Sequence, residues 1–280
     1  MLQTAIEKLN ELPEFDRLHK QLKNNPATIW GLSASSKSLA LAFLHGKNEA
    51  SNKTIVVVRN LAQAENIYED LRLFLPEEQV FLFRDYEILP YEHNSPHFTV
   101  LAHRIQALQA LQHQEPALIV ASYRAATQFI APKEHFSKLP VEMKVGQEYS
   151  LPDLISHLSE LGYKRTSMVV GPGETSLRGG ILDVYSPQWE TPKRLEFFGD
   201  ELESIRSFEI ETQISNNEKF DTLTLLPMRE FFIENLDELP EFFRTKIKED
   251  FFFKGIEQFL PHFFPKLDTL FDYCPKNATF

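Results

Sequence analysis

The chain has 280 residues, a formal net charge of −11 at pH 7 and a sequence pI of about 5.4. Its length allows two or three domains, and an apolar fraction of 42% is enough to build cores, which excludes global disorder. An acidic chain is repelled by phosphate backbones, so autonomous nucleic-acid binding is disfavoured and any such contact requires a local basic patch. The single cysteine, Cys274, rules out an internal disulfide framework and fits a reducing, cytoplasmic setting. The opening MLQTAIEKLNELPEF lacks a basic start followed by an apolar run, and no stretch of about 18 apolar residues occurs, so neither a signal peptide nor a membrane span is expected.

In chain order, Leu2, Ile6, Leu9, Leu12, Phe15, Leu18 and Leu22 recur at helical steps and predict a helix over residues 1–23, interrupted or restarted at Pro13. Thr28-Ile29-Trp30 reads as a short strand, followed by a loop through Lys37 and a helix over residues 38–44. The β-branched run at 54–58 has the character of a buried parallel strand. Leu61, Ala64, Ile67, Leu71 and Leu75 give a helical face; residues 80–83 a strand; Val100, Leu101, Ile105, Leu108 and Leu111 a helix; residues 117–121 a strand. This alternation predicts an α/β domain with a mostly parallel sheet.

The character changes near Pro140. A short helix at 151–161, stopped by Gly162, precedes period-two runs at 166–170, 180–185, 194–198 and 202–210, separated by turns at Pro172-Gly173, 189–192 and Gly199-Asp200. These predict a small antiparallel sheet with one helix. Beyond residue 211 the expectations are a strand at 222–226, a helix at 238–251, a strand at 270–273, and packing back onto the first domain. The domain boundaries expected are therefore 1–139, 140–210 and 211–280. Of 24 phenylalanines, 12 fall between Phe231 and Phe280, and the folded pattern continues to the last residue, as expected of a piece of a longer protein.

The loop Gly31-Leu32-Ser33-Ala34-Ser35-Ser36-Lys37-Ser38 sits where a phosphate loop, G-x-x-x-x-G-K-[ST], would lie between strand and helix. Gly31, Lys37 and Ser38 fit, but Ser36 replaces the second glycine. The neighbouring strands run into Arg59-Asn60 and Ser122-Tyr123, with no acid to help hold Mg²⁺. The loop reads as a vestigial nucleotide site, or as a Ser-rich turn capping a helix through Ser36 or Ser38. His93 and His97 are spaced for metal only on a helix, which Pro96 opposes, and Cys274 has no catalytic partner, so neither a metal nor a catalytic residue is expected. Phe242-Phe243, Phe251-Phe252-Phe253 and Phe263-Phe264 read as core or covered surface.

Two longer stretches carry a resemblance. Phe83-Arg84-Asp85-Tyr86-Glu87-Ile88-Leu89-Pro90-Tyr91-Glu92-His93-Asn94-Ser95-Pro96-His97 resembles the W-E-T-L-P-Y-D-x-x-S-P-H signature of the transcription-repair coupling factors, with Tyr86 in place of Trp. Gly173-Glu174-Thr175-Ser176-Leu177-Arg178-Gly179-Gly180-Ile181-Leu182-Asp183-Val184-Tyr185 resembles their G-E-x-x-x-R-G-x-x-L-D-x-F segment and continues in the family's manner to Arg206; Leu225-Leu226-Pro227 is a weaker third block. UvrB, an excision-repair helicase subunit, shares the arrangement. It has an intact phosphate loop and a Tyr-rich hairpin for which the segment before Phe98 has no room, so an ATP-dependent helicase subunit of the UvrB kind is the alternative.

The resemblance implies a degenerate RecA-like (P-loop NTPase-like) α/β domain in two parts, with an inserted small antiparallel α+β domain that is UvrB-like and binds UvrA. It implies a module that recruits UvrA to RNA polymerase stalled at DNA lesions and helps to autoinhibit a translocase. Polymerase, DNA, ATP and Mg would engage other domains of a longer protein, and this region itself would have no cofactor or ATPase activity. Arg178 and Arg165 match arginines used on UvrA, with Lys164 an alternative to Arg165; the competing reading pairs Arg178 internally with Glu174 or Asp183. Guanidinium groups suit carboxylate recognition. Gly179 and Gly180 suit a bulge or close backbone approach, and Tyr185 with Phe197 or Phe198 offers an aromatic contact if one faces outward.

Overall fold

The computed structural model describes residues 8–9, 12–22, 26–47, 53–89, 92, 94–233, 236–249 and 253–280. Expectations for residues 1–7, 10, 11 and 23, for Pro90, Tyr91 and His93, and for residues 250–252 lie outside these. The chain divides into two compact units: Met1–Asp85 with Ala107–Gln128 and Thr269–Phe280, and Tyr86–Gln106 with Phe129–Asp268.

The first unit holds three parallel strands, β1 (Lys53–Val58), β2 (Val80–Phe83) and β3 (Ala117–Ser122), in the order β1-β3-β2. β3 is buried at every position because it is the central strand, and its ALIVAS sequence has no polar face to offer solvent. The helix Leu61–Arg72 starts where the Asn60 side chain accepts from the Gln63 amide, and it buries Ala64, Ile67 and Leu71. These pack with Val56, Val80, Leu82, Leu118 and Val120 into one core. The helix Ser36–Gly46 adds Ala42 to it. Thr279 pairs with the side of β1 away from β3: Ile55 N–H donates to Thr279 O at 2.8 Å, and Thr279 N–H to Lys53 O at 3.0 Å. The expected strand at Thr28-Ile29-Trp30 does not form, and Trp30 is 87% exposed. Residues 270–273 are likewise a helix, Leu270–Tyr273, and not a strand, because Thr269 and Asp272 form a reciprocal capping box.

The second unit is built round a six-stranded sheet: β5 (Lys164–Arg165), β6 (Glu174–Arg178), β7 (Ile181–Val184), β8 (Lys193–Phe198), β9 (Glu201–Phe208) and β10 (Ser215–Lys219). The strands follow chain order across the sheet; β5 and β6 are parallel and the other pairs antiparallel. A separate pair joins β4 (Val141–Lys144) to β11 (Thr222–Leu225). The expected strand at 166–170 is replaced by β5 just before it. The helix Leu151–Glu160, capped by Ser150, ends before Gly162 at φ 91°. A phenylalanine-rich core gathers Phe231, Phe243 and Phe253 with Leu239, Ile247 and Ile256. Phe242 is the outward partner of its pair, 56% exposed.

Candidate functional site

The register of the antiparallel strands sorts side chains onto two faces. Leu177, Leu182, Leu195 and Ile205 align in one row on the apolar face. The flanking rows, Ser176–Asp183–Arg194–Arg206 and Arg178–Ile181–Glu196–Ser204, form the polar face. Asp183 is fully buried at its centre. Arg178 Nη2 donates to Asp183 Oδ2 at 2.7 Å; Arg194 Nε donates to Oδ1 at 2.7 Å and Arg194 Nη2 to Oδ2 at 2.9 Å. The hydrogen bond to Asp183 raises the Arg194 pKa above its ordinary value, against burial, and its guanidinium also lies 4.7 Å from the Phe208 ring. Arg206 pairs with Glu196 at 3.2 Å.

Arg178 keeps 49% of its side chain exposed while anchored at one nitrogen. Of the two internal partners read from sequence, Asp183 is the one it takes; Glu174 instead accepts from the Val170 and Gly171 amides. Lys164 and Arg165 are both exposed on β5, and neither makes an ion pair with a described residue. Lys164 lies opposite Glu174 and Arg165 opposite Thr175, so Lys164 shares the face of Arg178 and Arg165 takes the other. Gly179 turns the β6–β7 hairpin at φ 61° in open space; at Gly180 a Cβ would meet Phe197 O at 2.6 Å, the close backbone approach expected. Tyr185 and Phe197 are interior. Tyr185 packs with Val169 and Phe208 and donates to Glu190 O at 2.7 Å, while Phe197 is 9% exposed. The outward aromatic is Phe198, 77% exposed next to the Gly199 turn, because the period-two alternation of β8 puts Phe197 inward with Leu195 and Phe198 outward with Glu196.

The Gly31–Ser38 segment spends three of its backbone donors on itself. Ser33 N–H donates to Ser36 Oγ at 2.9 Å, Ser36 N–H to Ser33 O at 3.1 Å, and Lys37 N–H to Ala34 O at 3.2 Å. Ser36 therefore closes a turn instead of capping the helix; the cap position is Ser35, with no side-chain bond. Ser38 donates to Asp70 Oδ2 at 3.1 Å, and Lys37 is exposed. The adjoining cleft, about 470 Å³, is walled by Ile29, Trp30, Leu41, Val56 and Val58, with Lys37 and Gln63 as polar members. A phosphate loop needs amides aimed outward at a polyanion; this one adjoins an apolar cleft, and the amides of Ser33, Ser36 and Lys37 are already bonded within the turn.

Sequence reasoning missed a buried ionic network. Arg104 is fully buried and pairs with Glu230, which also accepts from Tyr86 OH at 3.0 Å; the Arg104 guanidinium stacks 4.1 Å from the Tyr86 ring. Burial opposes the Arg104 charge, and Glu230 and Tyr86 together more than restore it, leaving its pKa raised. Burial, then Glu230, pushes the Tyr86 phenol well above its usual range. Next in sequence, Arg229 pairs with Glu257, which accepts from Ser95 Oγ at 2.9 Å. Tyr86 and Ser95 belong to the first resembling stretch, so that stretch is held by structural bonds. A signal was present: Arg104 follows Leu101 by three and precedes Leu108 by four, placing a charge on the apolar stripe of the helix Phe98–Gln112. No group of three or more His, Cys, Asp or Glu able to hold a metal occurs among the described residues, and no helix among them is long and apolar enough to cross a membrane.

The sequence model of the UvrB interaction domain matches residues 141–231, the stretch that contains the polar face. A transcription-repair-coupling factor of Haemophilus influenzae is 30% identical over 275 residues, covering 92% of this chain and 24% of the relative. One of Bacillus subtilis is 28% identical over 307 residues, covering 99% and 26%, and one of Staphylococcus haemolyticus is 29% identical over 203 residues, covering 72% and 17%. The chain is thus a relative of the transcription-repair coupling factors along nearly its whole length, spans about a quarter of the Haemophilus influenzae and Bacillus subtilis proteins, and matches the UvrB interaction domain over residues 141–231.

Proposed function

We propose that this chain is a docking module in transcription-coupled repair, recruiting UvrA through the polar face of its antiparallel sheet. The observation that carries this reading is the overlap of the UvrB interaction domain with the sheet that presents Arg178 and Lys164. The docking surface consists of Arg178, Lys164 and the Gly179 turn on the polar face, extended round the β5 edge strand by Arg165 on the opposite face, with Tyr185 and Phe197 as buried members of the same sheet. Arg178 is suited to the task because Asp183 fixes one end of its guanidinium while the rest faces solvent, so less side-chain entropy is lost on engaging a carboxylate.

In this reading the parallel-sheet unit is a degenerate RecA-like domain, and the three segments 1–139, 140–210 and 211–280 are a first part, an inserted small domain and a returning second part. The unit has no ATPase activity: three of its loop amides are bonded internally, and β1 and β3 run into Arg59 and Tyr123 where an acid would help hold Mg²⁺. RNA polymerase, DNA, ATP and Mg²⁺ engage the remaining three quarters of a full-length protein of this family, acting in the cytoplasm. The module helps to restrain that motor when its docking face is covered.

Calorimetric titration of the chain into UvrA tests the docking reading. Binding at about micromolar or tighter is expected, weakened about tenfold or more by Arg178→Ala, the effect of one charge-assisted hydrogen bond. Circular dichroism establishes that the variant is folded. Absence of binding, or binding untouched when Arg178→Ala and Lys164→Ala are combined, overturns it.

A further inference from the structure

Each of the three parallel strands carries a cation within two residues of its carboxyl end, and the buried Asp85 is the one acid among those positions. Arg59 directly follows β1, Arg84 directly follows β2, and Tyr123-Arg124 follows β3. The register pairs Val58 with Ser122 and Phe83 with Ala121, so these residues share one edge of the sheet. At about 4.8 Å between strands, they span about 10 Å. An apolar cleft adjoins the β1 end of this edge, walled by Val56 and Val58 and bordered by Trp30 and Lys37.

Charge and aromatic character alternate along this strip. Arg84 is held by Glu65 at 3.2 Å, and Arg124 lies 3.9 Å from the buried Asp85 while keeping 59% of its side chain exposed. Arg59 and Lys37 are exposed and make no ion pair with a described residue, so they leave a local excess of positive charge on a chain whose net charge is −11. Trp30 is 87% exposed and Tyr123 66%. Flat aromatic faces interleaved with cations suit unpaired bases joined by phosphates: rings stack on bases of any sequence while the cations follow the backbone. A duplex hides its base faces, and an acidic peptide gives the rings nothing to stack on.

We propose that this edge is a binding strip for single-stranded nucleic acid, with Arg59 and Lys37 on phosphates and Trp30 and Tyr123 stacking on bases. The test is fluorescence anisotropy of a labelled oligodeoxythymidine of about 15 nucleotides, near the upper site size of single-strand grooves, titrated with the whole chain at low salt. Arms with oligouridine, duplex DNA and polyglutamate distinguish the source of the polyanion. Binding of the single strand with quenching of tryptophan fluorescence is expected, the quenching being lost in Trp30→Phe. Arg59→Glu lowers the slope of log K against log salt by about 0.7, the contribution of one neutralised phosphate on a single strand. Tyr123→Ala weakens binding about fivefold or more, through lost stacking. Both side chains are exposed, so both variants keep the fold, which circular dichroism verifies. The proposal is overturned if the oligonucleotide does not bind, if binding survives both substitutions, if duplex binds as well as single strand, or if polyglutamate competes equally.

Discussion

Asp183 and Arg178 are joined by one ion pair, yet their substitution should have unequal consequences. Asp183 is fully buried and serves two guanidinium groups; Arg178 is half exposed and serves one carboxylate. Removing Asp183 strands Arg194, whose side chain is only 12% exposed, without its main counter-charge. Breaking a buried pair in this way costs about 3–5 kcal/mol. Removing Arg178 leaves Asp183 still bound by Arg194 through two hydrogen bonds, so the cost is that of a partly exposed pair, about 1 kcal/mol or less. Asp183→Ala should therefore lower the urea midpoint of this unit far more than Arg178→Ala. Trp189 packs against the Tyr185 and Phe208 cluster and reports that transition once Trp30 is replaced by Phe. Equal destabilisation by the two variants would show that Arg178 is structural, and would remove the ground for treating it as a docking residue.

Among the elements, the Gly31–Ser38 loop is the clearest case of a motif that keeps its residues and loses its chemistry. Restoring the glycine alone should not restore the site, because the walls of the cleft are apolar and Ser38 is bonded to Asp70. Mg-ATP at about a hundred times a typical dissociation constant would stabilise a working site by about 2.7 kcal/mol, a shift of several degrees in the unfolding midpoint. No shift is expected in the native chain or in Ser36→Gly, measured by scanning calorimetry; a shift of that size in either would revive the reading of an ATP-dependent helicase subunit. The same elements show what a sequence makes visible. β1, β2 and β3 stood out as apolar runs, and the helix Leu61–Arg72 as a 3.6-residue stripe, because burial repeats along them. β10 (SNNEK) was invisible because it is an edge strand whose side chains mostly face water, so it has no apolar alternation. Thr28-Ile29-Trp30 has strand-forming residues, but Thr279 occupies the free side of β1. At the polar face, the arginines were legible as residue types, and the inward turn of Phe197 and outward turn of Phe198 follow from period two once Leu195 is known to face the core, which the register and not the spacing supplies.

For the molecule as a whole, acidification sets two effects against each other. The net charge of −11 at pH 7 shrinks as the pH approaches 5.4, which relieves repulsion across the surface. His45 acts in the opposite direction. It is 7% exposed at the end of the helix Ser36–Gly46, with Nδ1 2.9 Å from Thr54 Oγ1, and burial followed by the nearby Lys53 charge lowers its pKa from 6.5 to about 4. The folded state therefore keeps this imidazole neutral over a range in which the unfolded chain protonates it. Stability from His45 is fully present above about pH 6.5 and is lost as the pH falls from there towards 4. The whole shift corresponds to about 3 kcal/mol, of which about 2 kcal/mol is lost by pH 5, still larger than the ~0–1 kcal/mol of an exposed ion pair. The buried group should prevail, so stability falls between pH 7 and pH 5 although the surface becomes less charged. Replacing His45 with Gln, which keeps a polar group beside Thr54 and cannot protonate, should remove most of that fall and expose the gain from reduced repulsion. Urea unfolding of both proteins across this range is the measurement, and parallel pH profiles for the two would show that His45 is not the group that titrates.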